Sequence, residues 1–243
     1  MSLADNIIRA KADLDEVYEA GKQAEQQRAY DEYWDSIQLN EQGNLNNNYF
    51  YAFAGRSWTD KTFKPKYDIN VRYGDRIFAE SRITDLQAIL DEQGVTLTIV
   101  GTGTGNAPSQ LFLTSSITRV GVLDFTGFSN LNYVLYQSKK LVTVEKVILK
   151  TGVKQYNLNT SFQQCNELVN ITIEGNITNV TTFADSTKLS RASIESIIAS
   201  LWDDATSDNT ITFSQTAVNN AFTTEEWETL VATKPNWTIA LSA

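Results

Sequence analysis

The stretch Phe162-Gln-Gln-Cys165-Asn-Glu-Leu168-Val-Asn-Ile171-Thr-Ile173 carries the clearest structural pattern in this chain. Its first four marked residues recur at steps of three, and its last two isoleucines are two residues apart. A step of two is typical of a half-exposed strand, because successive side chains of a strand point to opposite faces. The stretch therefore predicts a tight turn that leads into a short strand with one buried face.

Four other segments repeat this spacing approximately. They are Ile77, Glu80, Ile83 and Leu86; Leu111, Thr114, Ile117, Val120 and Val122; Leu135, Ser138, Leu141, Val144 and Val147; and Phe183, Ser186, Leu189, Ala192 and Ile194. Units of this size cannot bury their apolar side alone, so they must stack and share one core. The repeats predict short strands in a parallel sheet, with Cys, Ser or Thr at a crowded interior corner.

Residues 3 to 34 are predicted to form a helix, because they lack proline and place apolar residues at alternating steps of four and three. This alternation is typical of a coiled-coil seam or of an amphipathic helix packed on its own domain. Self-association is favoured, and a homotrimer is expected by analogy with fibres. The predicted oligomerisation residues are Leu3, Ile7, Ala10, Leu14 and Val17.

The segment between the helix and the repeats is rich in asparagine and aromatic residues and has no regular period. Asn46-Asn-Asn48 is followed by Tyr49-Phe-Tyr51, Phe53 and Trp58. Clustered asparagines favour turns, so the segment is predicted to be a loop that ends in a buried aromatic cluster. An exposed aromatic platform that stacks on sugar rings is the alternative interpretation.

The last 50 residues leave the repeat and alternate between helix and strand patterns. Ser193 to Trp202 and the capping-box sequence Thr223-Thr-Glu-Glu226 indicate helices, whereas Thr210 to Phe213 and Trp237 to Leu241 indicate strands. A polar-faced cap of this kind closes the open end of a stack of repeats. The predicted organisation is a helical segment at 1–38, a connector at 39–75, degenerate repeats at 76–194 and a C-terminal cap at 195–243.

The composition argues against most enzyme classes. The chain has 243 residues, no histidine and a single cysteine, Cys165. Histidine is the usual general base near neutral pH and the commonest metal ligand, so no catalytic residue, metal ion or cofactor is predicted. Carboxylate-only glycan cleavage is the remaining enzymatic hypothesis. Cys165 is expected to be a small buried residue rather than a reactive thiol.

The net charge and the local motifs argue against several classes of binding partner. The net charge of −9 leaves no basic excess for nucleic acid. Charged residues throughout the first 30 positions predict neither a signal peptide nor a membrane span, so synthesis and initial folding in a cytoplasm are expected. The glycine-rich segment 101–106 lacks the following helix of a phosphate loop, and Asp203, Asp204 and Asp208 lack calcium-loop spacing.

The F-x-x-C-x-x-L-x-x-I-x-I pattern resembles the BspA-type leucine-rich repeats of bacterial surface proteins and phage-encoded proteins. The stretches Met1 to Lys22 and Ala54 to Tyr67, together with the C-terminal segment, are similar to proteins of phage or prophage structural modules in gut Firmicutes. The resemblance implies an α/β fold in which a coiled-coil-like N-terminal helix precedes a short, irregular leucine-rich-repeat solenoid with parallel strands and an α/β C-terminal cap.

The same resemblance implies a virion structural protein of a tail, baseplate or head fibre. Its N-terminal helix is then expected to bind other phage structural proteins or copies of itself. Its repeats are expected to bind a host surface protein or glycan. A bacterial leucine-rich-repeat protein-binding module that is not part of a virion is the alternative.

Overall fold

The helix predicted at the start of the chain is present and forms a unit of its own. A computed structural model describes residues 3–36, 53–65, 68–71, 76–99, 107–128, 130–152, 158, 160–203 and 209–242. The chain divides into two compact units, Met1–Gln38 and Leu39–Ala243. Helix α1, Leu3–Ser36, makes up nearly all of the first unit.

The second unit is a mixed α/β structure whose described strands pair only in parallel. Its elements are β1 Ile69–Val71, α2 Leu86–Gln93, β2 Leu97–Ile99, β3 Arg119–Asp124, β4 Thr143–Ile148, β5 Asn170–Glu174, β6 Thr181–Phe183, α3 Arg191–Ala199, β7 Asn209–Ser214, α4 Gln215–Ala221, α5 Thr224–Val231 and β8 Trp237–Ser242. The strand orders are β1-β2, β3-β4-β5 and β6-β7-β8. Val120 lies opposite Val144, which lies opposite Ile171, so equivalent repeat positions form one buried row.

Tight turns precede β3, β4 and β5, and neighbouring turns are hydrogen bonded to one another. The N–H of Phe78 donates to the Leu111 carbonyl at 2.9 Å, and the N–H of Leu111 donates to the Val134 carbonyl at 3.1 Å. The ladder begins earlier than the predicted boundary at 75/76, because the N–H of Phe53 donates to the Ile77 carbonyl at 2.8 Å. Residues 53–65 lie in the predicted connector, and aromatic side chains at their buried positions conceal the repeat pattern.

The predicted register of the small interior residues is wrong by one position in the first two repeats. Ser81 and Ser115 occupy the buried corner, whereas Glu80 and Thr114, which the spacing assigned to it, are exposed. In these two repeats the corner residue lies two positions before the next buried aliphatic residue, whereas Cys165 lies three positions before Leu168. A step of three counted backwards from Ile83 or Ile117 therefore passes the true corner by one residue.

A helix begins at Leu86, where the first repeat predicted a strand, and α3 confirms the helix predicted from Ser193 to Trp202. Leu86 is the first residue of α2, and Ala192 and Ile194, which were also assigned to the last repeat, lie within α3. The side chain of Asp85 accepts a hydrogen bond from the N–H of Ala88 at 2.9 Å, and Ser190 caps α3 in the same way. These caps satisfy backbone N–H groups that a new helix leaves without partners, so they favour a helix over a strand at both places.

Helix α3 covers the outer edge of β5. The N–H groups of Ile171 and Ile173 donate to the hydroxyls of Ser193 and Ser196, each at 2.9 Å, and the Ser200 hydroxyl donates to the Ile173 carbonyl at 2.9 Å. An uncovered strand edge is a template for pairing with another chain. The serine hydroxyls therefore end the sheet by taking the place of a further strand.

Two ladders of phenylalanine rings run through the core. Phe53, Phe78 and Phe112 stack with ring centroids 5.3 and 5.8 Å apart. Phe162, Phe183 and Phe213 stack in the same manner at 4.7 and 6.0 Å. Because Phe53 is fully buried, the predicted buried aromatic cluster is confirmed for this residue, whereas Trp58, whose ring centroid lies 6.0 Å from that of Phe53, is half-buried. The segment Tyr49 to Tyr51 lies outside the described residues.

The C-terminal elements agree with the sequence pattern. Both predicted strands are present as β7 and β8, in continuous parallel register from the pair Asn209 and Trp237 to the pair Ser214 and Ser242. The predicted capping box is also present, because the Thr223 hydroxyl accepts from the N–H of Glu226 and the Glu226 carboxylate accepts from the N–H of Thr223.

The interior serines allow a paired stability test. Within the described residues, the buried Ser138 hydroxyl has no hydrogen-bond partner, whereas the Ser115 hydroxyl donates to the Phe112 carbonyl at 2.9 Å. An unpaired buried hydroxyl costs about 1–3 kcal/mol. We expect Ser138→Ala to raise the free energy of unfolding by about 1 kcal/mol and Ser115→Ala to lower it by a similar amount. Urea titration measures both, and equal destabilisation by the two variants would contradict the difference in pairing.

Candidate functional site

The predicted oligomerisation stripe lies on an exposed helix. Leu14 and Val17 are each 70% exposed, and Tyr18, beside them, is 69% exposed. Residues three and four apart share one face of a helix, so these side chains form a continuous apolar patch. Leu3, Ile7 and Ala10 lie in the same helix, but their side chains are outside the described set.

The outer face of the β3-β4-β5 sheet is crossed by ion pairs. Arg119 pairs with Asp85 at 3.6 Å and with Glu145, and Lys146 pairs with Glu174 at 2.8 Å. The hydrogen bond that Arg119 donates to the Glu145 carboxylate is the largest cause of the raised pKa of Arg119. Because exposed pairs of this kind contribute little stability, they mainly neutralise charge on this face.

A groove of about 220 Å³ separates α2 from β3. Its lining is Leu86, Gln87, Leu90, Asp91, Val95, Thr96, Leu97, Val120, Gly121, Val122, Leu123 and Glu145. A Cβ atom at Gly121 would lie 2.1 Å from the Gln87 side-chain oxygen. The floor of the groove is therefore closed by Gln87, and the groove is a packing seam between α2 and the sheet.

A second groove, of about 430 Å³, lies between α3 and α5 and is centred on Arg191. The Arg191 guanidinium pairs with Glu195 and Glu226, each at 2.8 Å, and its central carbon lies 4.6 Å from the centroid of the Phe222 ring. The backbone N–H of Thr223 and then Arg191 lower the pKa of Glu226 to about 2. These contacts join the capping box of α5 to α3, so the charges of Arg191, Glu195 and Glu226 already have partners.

A pair of tyrosines marks the turn side of the stack. Tyr133 is 39% exposed, and its ring centroid lies 5.2 Å from that of Tyr136 with an interplanar angle of 81°. The Gln137 side-chain amide donates to the Tyr136 hydroxyl at 3.1 Å. In the two turns that precede this one along the chain, Arg76 Nε donates to Gln110 Oε1 at 2.6 Å. No sequence motif marks this cluster: in Tyr133-Val-Leu-Tyr136 two buried residues separate an exposed tyrosine from a half-buried one.

Cys165 is a core residue, as predicted. It is fully buried, and its sulfur contacts the Leu135 carbonyl oxygen at 3.2 Å. Burial raises the pKa of its thiol to about 12. Because the thiolate is the nucleophilic form, this side chain is unreactive near neutral pH.

The remaining candidate motifs supply no site in the described part of the chain. Segment 101–106, Asp204 and Asp208 lie outside it, and Asp203 pairs with Lys234 at 2.8 Å. Between 3 and 242, the described residues contain no group of three or more Cys, Asp or Glu side chains arranged to hold a metal ion. No described helix is both long enough and apolar enough to cross a membrane.

Comparison with known proteins gives no match: no protein-family model, curated protein or solved structure is similar to this chain.

Proposed function

We propose that this chain is a non-enzymatic structural protein of a bacteriophage particle, with α1 as its self-associating anchor. The apolar patch of Leu14, Val17 and Tyr18 is the observation that carries the proposal. Apolar side chains that are about 70% exposed on a helix lose contact with water when copies of the helix pack together. The heptad spacing of Leu14 and Val17 is that of the buried positions of a coiled coil.

The second unit is proposed to be a degenerate leucine-rich-repeat solenoid of the BspA type. Three observations support it: the hydrogen-bonded ladder of turns, the parallel register of β3, β4 and β5, and the column of small buried residues at the corner of each turn. Adjacent units that contact only their neighbours are the defining feature of such proteins. A rigid stack of this kind is suited to presenting a binding surface to a host cell.

The proposed anchor is tested by the solution mass of the full chain. We expect the wild-type protein to be a trimer by light scattering and Leu14→Asp to be a monomer of 27.2 kDa, because a charge at a buried seam position opposes packing. Ala12→Asp is the matched control, since Ala12 is also exposed on α1 but lies outside the stripe. A monomeric wild-type protein, or a Leu14→Asp variant of unchanged mass, would contradict the proposal.

A second candidate function is a bacterial protein-binding module outside any virion. The observation that favours it is the outer face of β3-β4-β5, where Val122 is 49% exposed among ion-paired side chains. Such a mixture of apolar and paired charged residues suits a protein partner. Mass spectrometry of phage particles purified by density gradient separates the two functions, because only the first requires peptides of this chain in the particle.

A further inference from the structure

We propose that the turn side of the stack carries a glycan-binding ridge centred on Tyr133 and Tyr136. The inference rests on the proposed function, since it names the ligand class that the second unit would contact on a host surface. The ridge comprises the side chains of Arg76, Gln110, Tyr133, Tyr136 and Gln137.

Backbone geometry holds the ridge residues in line. Arg76, Gln110 and Tyr133 all have left-handed φ angles, of 55°, 52° and 62°, at the same position of consecutive turns. The N–H of Gln110 donates to the Tyr133 carbonyl at 2.6 Å, and the N–H of Arg76 donates to the Ser109 carbonyl at 2.9 Å. Neighbouring turns paired in this way are spaced about 4.8 Å apart, as strands are. The three side chains therefore form a row along the stack.

Tyr133 is unusual within this row. A bulky residue in the left-handed region is an outlier that costs about 1–3 kcal/mol, and the surrounding ladder must hold it there. The same conformation leaves 39% of the tyrosine exposed instead of burying it in the core. Since other turn residues, such as Glu80 and Gln164, share this conformation, the exposed ring rather than the backbone distinguishes this position.

The neighbouring groups complete a sugar-binding chemistry. The two rings meet edge to face, and the Tyr136 hydroxyl accepts a hydrogen bond from the Gln137 amide. Each glutamine amide has two donors and two acceptor lone pairs, and the bonds that Gln110 and Gln137 make to Arg76 and Tyr136 use only part of this capacity. A stacking face flanked by groups that both donate and accept matches the C–H face and the hydroxyls of a sugar.

Charge favours a glycan over an acidic or basic partner at this place. The ridge itself contains one cation, Arg76, and three neutral polar side chains beside the tyrosine at its centre. The ion pairs of Arg119 with Glu145 and of Lys146 with Glu174 lie on the β3-β4-β5 sheet, outside the ridge. A neutral polyhydroxylated ligand therefore fits the ridge better than a charged polymer.

The test uses the full chain and a panel of immobilised glycans: N-acetylglucosamine oligomers, peptidoglycan fragments, β-glucan, mannan, galactan and rhamnan. We expect retention on at least one of them, a loss of affinity of about tenfold or more for Tyr133→Ala, and retained binding for Tyr133→Phe, which keeps the ring. Thr114→Ala is the matched control, because Thr114 is also exposed and left-handed but carries no ring.

Each outcome decides the question. No retention of the wild-type protein on any of these glycans, or equal affinity for Tyr133→Ala, overturns the ridge. Thermal unfolding of Tyr133→Ala excludes a folding defect as the cause of lost binding. Solution mass is recorded on the same samples: an oligomer that binds no glycan contradicts the ridge alone, and a monomer that binds through Tyr133 contradicts the anchor alone.

Discussion

Phe183→Ala is expected to lower the free energy of unfolding by about 3–5 kcal/mol, the range for removing a large aromatic side chain from a core. Phe183 is fully buried in the middle of its ring ladder, with interplanar angles of 18° to Phe162 and 14° to Phe213. The substitution removes both stacking contacts and leaves a cavity that its own strand, β6, and the neighbouring strand, β7, cannot close without shifting. Since a whole domain is stable by only about 5–15 kcal/mol, a loss of this size is a large share of the total.

Urea titration of the full chain measures this loss, and hydrogen exchange shows where it acts. Because β6, β7 and β8 pair in one parallel sheet, exchange should accelerate most in these three strands. Val180→Ala is the matched control, because Val180 lies three residues away and is 39% exposed. We expect the control to change stability by less than about 0.5 kcal/mol. Equal effects of the two variants would mean that the ring ladder does not support this part of the core.

Gly175→Ala is expected to destabilise the protein by about 2–4 kcal/mol, since it combines backbone strain with a steric clash. Gly175 has a φ of +95° immediately after β5, and a Cβ atom there would lie 2.1 Å from the Leu149 carbonyl oxygen. That oxygen belongs to the backbone at the end of the neighbouring strand, where the Leu149 N–H bonds the Glu174 carbonyl at 2.8 Å. Relief of the clash would require the ends of the two strands to separate and lose this hydrogen bond.

The variant Gly152→Ala separates the effect of backbone strain from that of the steric clash. Gly152 also has a left-handed backbone, with φ of +66°, but nothing lies within 4 Å of the position that a Cβ atom would take there. Gly152→Ala should lower the free energy of unfolding by only about 1 kcal/mol, which is the contribution of the backbone conformation. Thermal or urea unfolding of both variants gives the difference, which reports the contact with Leu149. If Gly175→Ala lowered the free energy of unfolding no more than Gly152→Ala, the close approach of Gly175 to the Leu149 carbonyl would not exist in solution.

Several local elements could be predicted from the sequence because interactions between near neighbours in the chain determine them. The steps of three and two around Cys165 describe a turn and a strand whose buried positions follow from spacing alone. The capping box at Thr223 and Glu226 requires only residues within one helical turn. The long first helix follows in the same way from apolar periodicity and the absence of proline.

The register of the first repeats required the tertiary structure. Ser81 and Ser115 reach the interior only because each turn pairs with the next one. Their repeats differ from the Cys165 repeat by one residue in spacing, and this difference does not change the composition of the repeats. The turn residues with a left-handed backbone are arginine, glutamate, glutamine, threonine and tyrosine, and none of these residue types favours a positive φ. Neighbouring turns impose that conformation through hydrogen bonds, so no local propensity indicates it.

The candidate binding surfaces divide along the same line. The apolar stripe of the first helix follows from the amino-acid sequence alone, because its members are close in the chain and share one helical face. The row of Arg76, Gln110 and Tyr133 emerges only in the folded stack, where, for example, Arg76 bonds Gln110 across 34 positions of the chain. Contacts within a helical turn are encoded by spacing, whereas contacts between turns depend on how the whole stack closes its core.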